Sequence, residues 1–151
     1  MKIIFFLFSV MLVSCVTVPP MMTTPDGFAR FDREKNFRAA SADGVSVVSY
    51  IVESKSIGED NPLATWVKEA DRVLVAKGYA LLSASQIPVK NGQQGTCLEY
   101  EVIFNAEPWI YAAFVVKGSN GLFIAEASGE KDVYLKRKDR IVESFKTIEI
   151  K

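Results

Sequence analysis

The 151-residue chain reads as an α+β protein, an antiparallel sheet of about six or seven strands packed with two main helices. Three observations predict this. The dipeptides Asp43-Gly44, Asn91-Gly92 and Asn120-Gly121 divide stretches in which apolar and polar residues alternate, the pattern of tight hairpins. Two other segments repeat their apolar residues at helical spacing. The connections between strands are too short for parallel crossovers, so the sheet is antiparallel and the helices must cover its apolar surface.

The elements follow in order. An apolar run of eleven residues, Ile3 to Val13, follows the single charge of Lys2. A bilayer span needs roughly twenty, so the run is the core of a signal peptide. Residues 1–14 are read as that signal peptide, 15–27 as an anchor and tether, and 28–151 as one α+β domain. The tether VTVPPMMTTPDG contains Pro19, Pro20 and Pro25 and lacks apolar periodicity, which predicts an extended spacer. Around Asp43-Gly44, the stretch Phe37 to Ser41 pairs with Val45 to Glu53. Asn91-Gly92 separates ALLSASQIPV from TCLEYEVIF, and Asn120-Gly121 separates IYAAFVVK from LFIAEAS. In TCLEYEVIF, Leu98, Tyr100, Val102 and Phe104 share one face, while Cys97, Glu99, Glu101 and Ile103 share the other.

Two helices interrupt the strands. In NPLATWVKEADRVLVAKG, the residues Leu63, Trp66, Val67, Ala70 and Leu74 form a stripe, Asn61 is placed to cap, Pro62 suits the first helical position and Gly78 ends the run. In EKDVYLKRKDRIVESF, the stripe is Tyr134, Leu135, Ile141, Val142 and Phe145, with Ser128 or Gly129 expected at the helix start. Lys136, Arg137 and Lys138, among acidic neighbours, are expected on a solvated face.

The stretch Leu12-Val13-Ser14-Cys15 resembles the lipobox of bacterial lipoproteins. That resemblance implies a diacylglycerol thioether on Cys15, cleavage before it and a membrane attachment through acyl chains. Two or more such chains hold a protein stably. Val16 follows the cysteine where the family's inner-membrane retention signal would be aspartate, so the resemblance implies the outer membrane in a Gram-negative cell. With Cys15 acylated, Cys97 has no cysteine left to pair with. The hairpin around SADGVSVV, the capped helix and the RIVESFKTI ending are similar to the PsbP-like fold and its small DcrB-type lipoprotein relatives. Members of that fold mostly bind or scaffold other proteins, which the resemblance carries over only loosely.

The chemistry is sparse. The sequence has no histidine, which removes the Ser-His-Asp triad, the Cys-His pair and imidazole zinc sites. Cys97 is expected to be a small, partly buried hydrophobe, because Glu99 on the same face raises its pKa. Glu99 and Glu101 share a strand face, as a glycosidase pair would need, yet the plainer expectation is two solvated carboxylates. Ser128-Gly129-Glu130-Lys131 matches S-x-x-K without its companion motifs. No glycine-rich phosphate loop occurs.

With 18 basic and 18 acidic residues the formal net charge is zero, which provides no field for nucleic acid. Trp109 and Tyr111 alternate onto one face at the mouth of a hairpin and are the candidate ligand- or partner-binding residues. The expected function is therefore a lipid-anchored, non-catalytic binding or assembly module of the envelope. It has no cofactor, its membrane contact is through the lipid, and its partner is another envelope protein or a small ligand. The alternatives are a small envelope hydrolase using Glu99 and Glu101 or Ser128 and Lys131, and a purely structural lipoprotein.

Overall fold

A computed structural model describes residues 22–31, 36–53, 61–119 and 121–150. Among them the order is β1 (Phe28–Arg30), β2 (Phe37–Ser41), β3 (Ser46–Glu53), α1 (Pro62–Ala76), β4 (Ala80–Pro88), β5 (Gln94–Phe104), β6 (Glu107–Lys117), β7 (Gly121–Glu130) and α2 (Lys131–Lys146). The seven strands form one antiparallel sheet in the order β1-β2-β3-β7-β6-β5-β4, the α+β fold that the sequence predicts. From β3 the chain passes through α1 to the far edge, then winds back by hairpins until β7 closes against β3, with Val47 opposite Ala127 and Tyr50 opposite Ile124.

Each face of the sheet carries one helix. On one side Tyr134, Ile141 and Phe145 of α2 pack with Phe37, Val47, Phe114, Val116 and Phe123. Ala39, Ala112, Ala125 and Ala127 are fully or almost fully buried in this core, and their short side chains let the helix approach the sheet closely. Phe114 stacks on Phe145 with ring centroids 5.1 Å apart. The ring of Phe114 also fills the space over Gly95, where a Cβ would meet it at 2.1 Å.

On the other side, Leu63 and Trp66 of α1 pack on a smaller cluster of Val115, Leu122 and Ile124. Here the predicted helix start holds: Asn61 Oδ1 accepts from the Ala64 N–H at 3.3 Å and Pro62 takes the first turn. Gly78, at φ +88°, turns the chain into β4.

Two local expectations are corrected. The helix α2 begins at Lys131 with Glu130 as its N-cap and no side-chain capping bond, whereas Ser128 lies inside β7, opposite both Ser46 and Tyr111. Pairing on both sides extends the strand past the point where a local cap would have started the helix. Leu135, expected in the buried stripe, is exposed.

Packing also begins ahead of Phe28. Met22 is 2% exposed, the Thr23 N–H donates to Thr147 Oγ1 at 2.9 Å, and the Ser144 hydroxyl donates to the Thr23 carbonyl. Residues 22–27 thus lie along α2 as a strap.

Candidate functional site

Cys15 lies outside the described residues, as does the turn residue Asn120. The other candidates fall on the two faces of the sheet.

On the α2 side, β5 presents Cys97, Glu99 and Glu101 in alternation. Contrary to the expectation of solvated carboxylates, Glu99 is only 8% exposed. Its Oε1 accepts from the Tyr134 hydroxyl at 3.0 Å, and its Oε2 accepts from Ser83 at 2.9 Å and Lys138 Nζ at 2.6 Å. Burial disfavours its charge, but the hydrogen bonds from Lys138, Ser83 and Tyr134 outweigh that and lower its pKa.

Burial and the nearby Glu99 raise the Cys97 thiol to about 12, so at neutral pH it is a protonated core residue. Glu101 pairs with Lys131. Each carboxylate is therefore tied to its own lysine from α2.

The remaining candidates on α2 are corrected in the same way. Arg137 donates from Nε and Nη2 to Asp43 Oδ2 at 3.2 and 2.8 Å, and Lys138 is held by Glu99, so two members of the expected solvated basic run are fixed to the sheet. Ser128 and Lys131 do not converge. The Ser128 hydroxyl lies 3.2 Å from that of Ser46 on the α1 side, whereas Lys131 reaches Glu101 on the α2 side.

Trp109 and Tyr111 do share the α1 face, as their alternation predicts, and the structure gathers other aromatic residues around them. Trp109 meets Phe104 edge to face at 5.9 Å. These rings sit on either side of the β5–β6 turn, where Asn105 and Ala106 adopt φ of 50° and 65°, the left-handed conformation of a type I′ turn.

Tyr111 and Tyr50 both donate to Glu126 Oε1 at 2.8 Å. Tyr79 and Tyr100 lie 6.0 and 6.4 Å from Tyr111, and the Tyr100 hydroxyl donates to Asp71 Oδ1 of α1 at 3.0 Å. Burial, reinforced by Asp71, pushes Tyr100 up to about 12. Burial and Glu126 likewise raise Tyr50 and Tyr111. The hydroxyls of Tyr50, Tyr100 and Tyr111 remain protonated donors at neutral pH.

Sequence reasoning missed Glu126, Tyr50, Asp71 and Tyr79. Their partners lie on strands and a helix far apart in the chain, and no local spacing joins them.

Two further features complete the surface. A shallow groove of ≈430 Å³ runs between the strap and α2, lined by Thr23, Asp26, Arg140, Glu143 and Thr147 among others. Among the described residues no three metal-ligating side chains gather, and no helix is long and apolar enough to cross a membrane.

No family model and no curated protein matches the chain. Solved structures do. PA94 of Pseudomonas aeruginosa, a protein of unknown function, aligns over 86% of this chain and 97% of its own with a TM-score of 0.61 at 14% identity. LpqN of Mycobacterium tuberculosis, involved in cell envelope biogenesis, aligns over 83% and 78% with a TM-score of 0.55 at 14% identity. A Bacteroides thetaiotaomicron protein aligns over 86% of this chain and 44% of its own, with a TM-score of 0.53 at 15% identity. At these identities the likeness is one of fold alone.

Proposed function

We propose that this chain is a lipid-anchored protein of the bacterial outer membrane, whose PsbP-like domain serves in the periplasm as a non-catalytic binding or assembly module. The observation that carries the binding role is the aromatic face. Trp109 and Phe104 flank a projecting turn, and Tyr111, Tyr79 and Tyr50 continue the aromatic surface beside it. Large aromatic groups of this kind dominate the energetics of protein interfaces. Glu99 and Glu101, the carboxylates of the hydrolase alternative, are each held in an ion pair with a lysine of α2.

The lipobox supports the anchor, and the role of LpqN in envelope biogenesis is compatible with the same setting. The test has two arms in intact cells. Metabolic labelling with an acyl probe should mark the wild type and not Cys15→Ala, which should remain uncleaved. A photo-crosslinker at Trp109 should join the protein to a discrete envelope component, lost when Tyr111 is changed to Ala. Normal processing of Cys15→Ala, or turnover of a glycan substrate that Glu99→Gln abolishes, would overturn the proposal.

A further inference from the structure

The two edges of the sheet are unlike. On the β1 side the edge strand is three residues long and carries Arg30, a short charged edge of the kind that discourages pairing. On the other side β4 runs for nine residues, Ala80–Pro88, without one charged side chain. Among the described residues it pairs with β5 alone. Its outer row of N–H and C=O groups is a template for a further strand.

The register slips between Leu81 and Ser83, so Leu82 is the extra residue of a bulge and stands 52% exposed. Bulges re-aim side chains and recur at functional edges. The apolar surface is concentrated at this same corner. Exposed Val73 and Val75 end α1, which leads through Gly78 directly into exposed Leu81 and Leu82. Ala80 pairs with Glu101, so the strongly exposed Ile103 and Phe104 lie just beyond the start of β4.

We infer that the β4 edge is a strand-addition site for an extended, uncharged segment of another polypeptide, with its large apolar residues at the end that lies over Leu81 and Leu82. Main-chain hydrogen bonds would supply the pairing and the apolar corner the selectivity, as in other β-augmentation interfaces. A second copy of this chain fits less well. Antiparallel pairing of β4 on itself about Ala84 sets Leu81 and Leu82 of one copy beside Gln86 to Pro88 of the other, leaving the apolar corner uncovered. The inference rests on the binding-module reading above and names the edge and the partner chemistry.

The test uses the mature chain and a displayed library of random peptides. Selected peptides should be uncharged with apolar residues at alternate positions. They should slow amide exchange at β4 and no other strand edge, and bind Leu82→Lys or Ala84→Lys roughly tenfold more weakly. Phe31→Lys, at the opposite edge, should leave binding unchanged. No enrichment, a charged consensus, unchanged binding to both β4 variants, or concentration-dependent self-association that protects β4 would each overturn the inference. The acyl-labelling and Trp109 crosslinking arms do not depend on β4, so failure here leaves those results to stand or fall separately.

Discussion

Lys138 of α2 donates to Glu99 of β5 at 2.6 Å, an ion pair between the helix and the sheet beneath it. The carboxylate also gathers Tyr134 and Ser83, so one side chain of β5 satisfies three donors from α2 and β4. Removing it would leave the buried Tyr134 hydroxyl without its acceptor. Glu99→Ala is expected to cost roughly 2–4 kcal/mol, read as a lower midpoint in urea. A loss below about 0.5 kcal/mol would show that the network contributes little.

The pH dependence follows from the same group. The folded-state pKa of Glu99 is lowered, so the unfolded chain binds its proton more readily. Its stabilisation is complete above the unfolded value, near 4.3, and is lost as pH falls through the lower folded value. Asp43 is lowered too, by hydrogen bonds from Arg137 and Ser41, and acts in the same direction. Melting temperature should therefore fall as pH drops from about 5 toward 3, and more gently in Glu99→Gln. Identical slopes would contradict the assignment.

Cys97 is 4% exposed with its thiol raised to about 12. In folded protein carrying Cys15→Ser, a maleimide or disulfide reagent should label it only as fast as the core opens, and readily in denaturant. Immediate stoichiometric labelling of the folded chain would refute this.

Gly95 faces Phe114 so closely that a Cβ would lie 2.1 Å from the ring. Gly95→Ala must push Phe114 against its stack on Phe145, at a cost of about 1–3 kcal/mol. The paired variant Gly95→Ala with Phe114→Leu should recover part of that loss. Additive losses would place the strain elsewhere.

Ala106 holds φ 65° in the β5–β6 turn, a conformation that glycine adopts without penalty. Ala106→Gly is expected to stabilise the protein by roughly 0.5–1 kcal/mol without altering crosslinking from Trp109. Destabilisation would argue against the type I′ geometry.

The elements made by neighbours in sequence are legible from residue types alone: the Asn61-capped helix, the hairpins at Asp43-Gly44 and Asn91-Gly92, and the shared face of Trp109 and Tyr111. Caps and two-residue turns act over a few residues, so the identities of those residues suffice. The start of α2 is not legible in this way, because Ser128 satisfies a local capping pattern that strand pairing with Ser46 and Tyr111 overrides. The expectation of a solvated Glu99 fails for a related reason. A carboxylate on a strand reads as polar surface until a helix some forty residues later sets Lys138 and Tyr134 over it.

Fold class, both helices and most hairpin turns are thus encoded in short segments, since hydrophobic period and turn chemistry are local properties of the chain. Assembly of the layers is what closes β7 on β3, brings Tyr50 and Tyr111 to a shared Glu126, binds the carboxylates of β5 to α2, and leaves β4 as an uncharged edge beside an apolar corner. These features depend on contacts between residues tens of positions apart, and their energies come from burial and paired charges that exist only once the layers have packed.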